Sequence, residues 1–371
     1  MVSPHLPPEQ AANALLPRQL GDELAVHGII TRYVTHPPAE SKHVDADVVY
    51  VPRRGRGRFD RTAPGALVAG GRMAMGAQDA VRASDLVHLH GNGFIIEVGR
   101  FLARRYDKPY VITLYGTDVW HHDEARHARF ARVVRGAAER VFYSQALLNF
   151  AAPLDLAPAP SRVIYAPVPS TFHALDPLRR DALRRDFGVG DAPLLLTVKR
   201  LHDVAGYDVL LGALPEIFRE HPGARVWIIG DGDLRPMLEG QARNLGIASQ
   251  VRFMGLLDNA TLWRYYAAAD LFVLPSRLES WGTVMLESLA CGTPVVASNT
   301  AGATEVHEHF PEDVMVAEKE DPQALAEAVC AALGTRRRTL DATRRRLQTE
   351  FSVSACAAQY LDVYRRATHA V

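Results

Sequence analysis

The stretch Leu271–Ser298, LFVLPSRLESWGTVMLESLACGTPVVAS, decides the fold. LFVLPS reads as a short buried strand that ends at Ser276. A loop carrying Glu279 follows, and a helix begins near Gly282-Thr283. The helix closes at Gly292-Thr293-Pro294, and VVAS starts a second strand. Strand, helix, strand is the unit of a parallel, doubly wound sheet.

The same alternation extends in both directions. Upstream in the second half lie PLLLTVKRL, ARVWIIGDG and QVRFMG as strands, with helices at GYDVLLGALPEIFREH, LRPMLEGQARNLG and NATLWRYYAAA. The first half repeats it with strands at HGIITRYVTH, ADVVYVP, DLVHLHG, KPYVITLYG, RVFYSQ and SRVIYAP, and with amphipathic stretches such as FIIEVGRFLARRY between them. Each half therefore reads as a Rossmann-like α/β domain. Ala166–Pro177 links them, because Pro167, Pro169 and Pro177 favour extended backbone. The last segment, VSACAAQYLDVYRRATHA, is an amphipathic helix with Tyr360 and Tyr364 one turn apart.

The chain has 371 residues, 48% of them hydrophobic and 23% charged, enough for a core in each of two domains. Lys+Arg and Asp+Glu number 42 each, which argues against a general nucleic-acid binder. No apolar run approaches the ~18 residues of a membrane span, and MVSPHLPPEQ lacks the pattern of a signal peptide, so a cytoplasmic location is expected. Cys291, Cys330 and Cys356 are too scattered for a disulfide framework or metal-ligand spacing. The one basic cluster, Arg53–Arg61, reads as a mobile loop, either merely solvated or in contact with an anionic acceptor or lipid headgroup.

Ligands of such sheets bind beyond the C-terminal strand ends. Gly230 and Gly232 follow a strand directly and let backbone come close to a ligand. Arg235 stands where a dinucleotide fingerprint needs its third glycine, which weighs against hydride transfer. Asp231 and Asp233 are explained by a turn as well as by a metal. Lys199 and Arg200 end another strand, and strand alternation points their side chains to opposite faces. After Ser276, the uncapped N–H groups of the next helix form an anion site. Glu287 can accept from a vicinal diol such as a ribose, and Glu279 from hydroxyls on the other side of a diphosphate. The alternative is a helix-dipole acid and a surface glutamate.

Glu279-x7-Glu287 followed by ACGTPVVAS resembles the retaining glycosyltransferases of family 4. DLVHLHG, TLYGTDVW, VIYAPV, KRLHDVAG, IIGDG, VRFMG and YYAAADLFVLPS fall in that family's order. The resemblance implies the GT-B fold: two Rossmann-like, doubly wound domains facing across a cleft. An acceptor-binding domain would span residues 1–170, with a crossing helix at about 352–371 returning to it. A nucleotide-sugar domain would span 171–351. It further implies that His90 lies near the transferred sugar, with Tyr115 and Asp118 on the acceptor side. Arg200 would bind the diphosphate, and Gly230 and Gly232 would line the nucleotide. Phe253 and Met254 would lie beside the base. Glu279 would contact sugar hydroxyls, Glu287 the ribose, and the Ser280, Trp281, Gly282, Thr283, Val284 backbone the diphosphate. Three departures stand out. Ala11-Ala12 replaces two glycines, Ala205 replaces a lysine before Gly206, and Tyr115 replaces a histidine before Gly116. Lys199 is placed to supply the missing charge.

The resulting expectation is a metal-independent, retaining hexosyl transferase that needs no cofactor beyond its donor, a UDP-sugar or else a GDP-sugar. The acceptor is expected to be small and soluble, of aminocyclitol type. A glycolipid acceptor at the membrane surface, a nucleotide-sugar epimerase and a non-catalytic nucleotide-sugar binder remain as alternatives. Oligomeric state is not legible.

Overall fold

The computed structural model describes residues 1–7, 12–38, 45–55, 57–120 and 124–369. Its residues fall into two units, Met1–Ala166 with Val353–Val371, and Pro167–Ser352. The Ala11 substitution noted above lies outside the described residues, as does Arg56 of the basic cluster.

The first unit contains α1 (Ala12–Val26), β1 (Tyr33–Thr35), β2 (Val48–Tyr50), α2 (Ala63–Arg82), β3 (Val87–His90), α3 (Phe94–Arg105), β4 (Tyr110–Leu114), α4 (Thr117–Trp120), α5 (Glu124–Arg135), β5 (Glu139–Phe142), α6 (Gln145–Ala151) and β6 (Ser161–Val163). Strands β3, β4, β5 and β6 pair in that order, all parallel. Strands β1 and β2 form a parallel pair. Val2 bridges to Val34 of β1 on one side and to Leu89 of β3 on the other, so it sits where the winding reverses. β4, YVITL, is buried at all five positions, as expected of a run covered on both faces.

The strand expected over HGIITRYVTH is much shorter than that run. α1 continues to Val26, Gly28 takes φ +77° at the helix end, and Ile30 is 90% exposed. Only Tyr33–Thr35 enters the sheet, because a left-handed glycine ends the helix and Ile30, ahead of the strand, faces solvent. The basic cluster is also more ordered locally than an open loop. Thr62 caps α2 by accepting from Gly65 N–H (3.1 Å), Arg54 donates to the Asp60 carbonyl (2.7 Å), and its guanidinium lies over the Phe94 ring.

The second unit contains α7 (Pro177–Asp186), β7 (Leu194–Val198), α8 (Tyr207–Glu220), β8 (Arg225–Ile229), α9 (Arg235–Asn244), β9 (Val251–Gly255), α10 (Asn259–Ala268), β10 (Leu271–Leu274), α11 (Thr283–Ala290), β11 (Val295–Ser298), α12 (Ala301–His309), β12 (Val314–Ala317), α13 (Pro322–Thr335) and α14 (Asp341–Thr349). Its six strands run β9-β8-β7-β10-β11-β12, all parallel. The winding reverses between β7 and β10, and a doubly wound sheet places its ligand crevice outside the strand ends at such a point. β12 has no counterpart in the sequence reading. It is an edge strand of four residues with Met315 40% exposed, too short and too wet to give a buried-strand pattern. A last helix, α15 (Val353–His369), belongs to the first unit and packs on α1, β4 and β5.

Candidate active site

Three loops meet at the reversal point of the second sheet. The segment after β7 is laced to the segment after β8, with Lys199 N–H donating to the Ile229 carbonyl (3.1 Å) and Leu201 N–H to that of Asp231 (3.0 Å). A Cβ on Gly230 would run into the Lys199 carbonyl, and one on Gly232 into that of Leu201. The two glycines of IIGDG thus have a reason within the fold, the close approach of two backbones. Asp231 accepts from Gly232 N–H (2.8 Å), as a turn acid does. Arg235, at the third fingerprint position, ties α9 to β9 by donating to the Phe253 carbonyl (3.2 Å) and to Glu239 (2.9 Å). Phe253 and Met254 are half-buried, and Phe253 packs on the core beneath.

Lys199 reaches across to the loop after β10. Its Nζ donates to Ser276 Oγ and to Glu279 Oε2, each at 2.8 Å. The side chains are 21% and 15% exposed, so this ion pair is mostly removed from water. Glu279 Oε1 also accepts from Ser280 N–H (3.1 Å). Arg200, the next residue, is exposed; its carbonyl accepts from His202 N–H (2.9 Å), and its guanidinium has no hydrogen bond or ion pair with a described residue. Lys199 and Arg200 therefore differ in kind. One cation is already partnered by a candidate site carboxylate, and the other is open.

Glycines start both helices at the reversal point. Gly206 precedes α8 with φ +68°, and Gly282 precedes α11 with φ +73°, neither with a side-chain cap. The first-turn N–H groups of α11 are thus left for other partners. A Cβ on Gly206 would strike the Pro275 carbonyl at the end of β10. Ala205, where the resemblance places a lysine, is 1% exposed. Thr283 and Val284 are half-buried. Trp281 is 1% exposed, and its ring stacks on Phe351 and meets His309 edge-on. Within that segment it is therefore a core side chain, and any diphosphate contact falls to its backbone.

Glu287 sits one turn into α11. Tyr266 of α10, wholly buried, donates its hydroxyl to Glu287 Oε2 (3.0 Å). Burial pushes the Glu287 carboxyl up to about 7, with the Tyr266 hydrogen bond pulling the other way. Sequence reasoning missed Tyr266, since nothing in YYAAA announces a partner 21 residues on. It also missed Arg277, which forks onto both Asp208 oxygens (2.9 and 2.7 Å) and holds that carboxyl below its ordinary range. Gly302 was missed too. It donates to the Glu279 carbonyl (3.2 Å), and a Cβ there would overlap Ser280.

In the first unit, His88 and His90 share one face of β3, with ring centroids 3.8 Å apart. His88 bonds the Tyr364 hydroxyl through Nδ1 (2.7 Å) and Thr113 Oγ1 through Nε2 (2.8 Å), and Thr113 bonds the Tyr360 hydroxyl (2.9 Å). His90 Nδ1 bonds the Tyr115 hydroxyl (2.7 Å). Burial first, then the neighbouring imidazole, holds His90 well below its ordinary range, so it is neutral. Asp118 is 2% exposed and accepts from the backbone N–H groups of Tyr115 (2.9 Å) and Gly116 (2.6 Å). Burial raises it to about 6 against those bonds. Both acceptor-side candidates are thus engaged inside their own unit, Tyr115 with His90 and Asp118 with a turn.

Residues 179–348 match the model of a family described as glycosyl transferases group 1. A glycogen synthase from Mycobacterium tuberculosis is 31% identical over 288 residues, 76% of this chain and 68% of that one. An uncharacterized glycosyltransferase from Methanocaldococcus jannaschii is 34% identical over 186 residues, 49% of this chain and 47% of its own, so the chain spans about half that relative's length. Among solved structures, sucrose-phosphate synthase from Thermosynechococcus elongatus superposes with a TM-score of 0.82 at 22% identity, covering 100% of this chain and 96% of that one. Anabaena Alr3699/HepE, solved with UDP and glucose, gives 0.79 at 20% identity over 98% and 99%. The chain belongs to the group 1 glycosyl transferases, with the two Rossmann-like units of a GT-B fold.

Proposed function

We propose that this chain transfers a hexose from a nucleoside diphosphate sugar to an acceptor hydroxyl, with retention at the anomeric carbon and without a metal ion. The observation that carries the reading is the group of Lys199, Arg200, Glu279 and the uncapped α11 N-terminus at the reversal point of the second sheet. A diphosphate brought there would meet an open guanidinium, an ammonium and free N–H groups, which is how such sites stabilise developing negative charge. Glu287, set by Tyr266, is the ribose acceptor in this reading. Glu279 turns to the sugar hydroxyls once Lys199 has a phosphate to bind.

In the reaction, the bond from the anomeric carbon to the diphosphate oxygen breaks, and its electron pair leaves with the diphosphate. The acceptor oxygen bonds to the same face of that carbon. Its proton passes to a departing diphosphate oxygen, giving the glycoside and a nucleoside diphosphate. His90 lies near the transferred sugar.

UDP is the favoured nucleotide, and the HepE complex with UDP and glucose supports it on a shared fold. GDP is the second choice. The acceptor is a small polyol of aminocyclitol type. The deciding experiment screens nucleotide-sugars by thermal shift, then follows transfer to small polyols by NMR, with and without chelator. An α-anomer from an α-donor, formed in chelator, supports every part. Strict metal dependence would remove the metal-free step. An epimerised donor in the absence of acceptor would replace transfer with epimerisation, and salt-sensitive binding to anionic vesicles would move the acceptor to a glycolipid.

A further inference from the structure

A cavity of about 730 Å³ opens in the first unit at the N-terminal ends of β1 and β3. Its walls come from the ends of α1 and α2, the starts of those two strands and the last turns of α15, all within that unit. The buried part of the lining is apolar, with Leu24, Val34, Val81 and Val87. His88 and Tyr364 also line it, and both His88 nitrogens are already bonded, to the Tyr364 hydroxyl and to Thr113. The exposed part of the lining is different. Arg32 and Arg365 belong to it, and neither guanidinium has a hydrogen bond or ion pair with a described residue. Ile30 belongs to it too and is 90% exposed.

We propose that this cavity binds a small carboxylate with an apolar tail: the tail lies against the wall of leucine and valine, and the carboxylate accepts from Arg32 and Arg365. The site is separate from the residues assigned to donor and acceptor, and it does not rest on the transfer reading above.

Position sets the cavity apart. Parallel sheets hold their substrates beyond the C-terminal strand ends, so a cavity at the opposite ends has no part in that crevice. Its volume falls within the roughly 300–1,000 Å³ of small-molecule sites, which are mostly apolar with a few polar groups that fix orientation. The exposed lining is hard to explain by folding. Burying an isoleucine stabilises by about 1.5–3 kcal/mol, yet the chain turns at Gly28 and leaves Ile30 in water beside the opening. Arginine is the side chain suited to a planar carboxylate, which it can meet with two parallel N–H bonds. The charges select a monoanion. Two guanidiniums face one acid in the lining, Asp85, which is exposed and has no described partner, so a single positive charge is left over. That suits a carboxylate better than a phosphate dianion. His27 lines the opening as well and adds charge only when protonated. The Met1 amino group is engaged, donating to the Arg32 carbonyl (2.6 Å). No charged side chain other than His88 stands in the buried lining, so the part of the ligand that enters needs no polar group.

The test is titration calorimetry of the full chain with octanoate below its micelle concentration, with octanol and inorganic phosphate as controls. Octanoate is expected to saturate at one per chain, and each control to bind at least about tenfold more weakly. Arg32→Gln and Arg365→Gln should each weaken octanoate about tenfold, the loss of one charged hydrogen bond, with unchanged melting curves because neither side chain holds the fold. Ile30→Ser should weaken it about threefold through lost apolar contact. Absence of saturable octanoate binding overturns the site. Octanol binding as tightly as octanoate removes the carboxylate, and phosphate binding as tightly removes the tail; either result overturns the proposal. Saturable binding that ignores both arginine substitutions puts the ligand elsewhere and overturns it as well. Should Arg32→Gln lower the melting curve, Arg365→Gln on α15 carries the same readout.

Discussion

Beyond β7 and β10 the polar side chains are ions: Lys199 against Glu279, Arg277 against Asp208, and Arg200 open to water. Beyond β3 and β4 they are mostly neutral: two imidazoles, a threonine and four tyrosines in a largely buried layer beneath α15, with the one carboxyl, Asp118, turned to backbone amides. Both sheets reverse their winding at the place concerned, between β7 and β10 in one and at Val2 beside β3 in the other. The shared topology therefore supplies two crevices, and the side chains divide the work. Ions that are partly wet can exchange partners when an anion arrives, because water and the ligand share the cost of parting them. Neutral groups in a buried layer cannot be left unpaired without penalty, so they hold one another in place.

The sharpest way to break this contrast is Arg200→Ala. An exposed, unpartnered side chain contributes little to folding, yet a lost diphosphate donor costs about 10²–10³ in turnover. The expected result is that loss with an unchanged melting curve. Retention of more than about a tenth of wild-type turnover would remove the diphosphate from this place. Glu287→Ala comes next, with donor affinity down roughly 10- to 150-fold for a charged hydrogen bond of about 1.5–3 kcal/mol, read by titration calorimetry. Its ionisation adds a pH signature. Only the ionised carboxylate accepts with both oxygens and carries the charge that strengthens those bonds, so donor affinity should weaken as pH falls through about 7, and Glu287→Gln should flatten that profile. The stability sign is opposite. The folded chain holds the Glu287 proton between about 4.5 and 7, so this group removes stability as pH rises through that window.

Lys199→Ala separates the two roles of an exchangeable ion. Losing its bonds to Ser276 and Glu279 should cost about 1–3 kcal/mol in urea denaturation. If Lys199 also meets the diphosphate, turnover falls with it, and adding Ala205→Lys restores part of the activity. Lost stability with normal turnover would confine Lys199 to holding Glu279. The smallest effect belongs to the neutral layer. Tyr360→Phe removes one hydroxyl from Thr113 and should cost about 0.5–1.5 kcal/mol, with donor affinity unchanged. A change in donor affinity would show that the layer is not confined to the first unit's chemistry.

How much of this was legible follows the same divide. Glu279, Glu287, Lys199 and Arg200 stand out because they are charges set at the ends of apolar strands and at a helix start, where a doubly wound sheet places its ligand crevice. The βαβ alternation is equally plain, since buried strands such as β4 and β7 are apolar runs interrupted by a single threonine each. The neutral layer is not, because tyrosine and histidine in a strand read as ordinary core. His88 looks no different from His90 in VHLH, and only the folded sheet shows that Tyr115 and Tyr143 stand beside one and Tyr364 beside the other. Gly230 and Gly232 suggest a ligand, and the fold adds a second reason for them, since a Cβ on either would meet a carbonyl of the neighbouring loop. Trp281 lies in the loop that carries Glu279, and its ring is buried against Phe351.

The return of α15 to the first unit has a consequence for synthesis. Between Ala166 and Val353 the ribosome must make the 186 residues of Pro167–Ser352. At about 5–20 residues per second this takes roughly 10–40 s. The second unit is continuous and can close during that interval. The first cannot, because His88 and Thr113 wait for Tyr364 and Tyr360. Until then water must serve those groups, and the apolar face that α15 will cover stays open. The nascent chain is thus most vulnerable to chaperones and proteases in the half that was translated first.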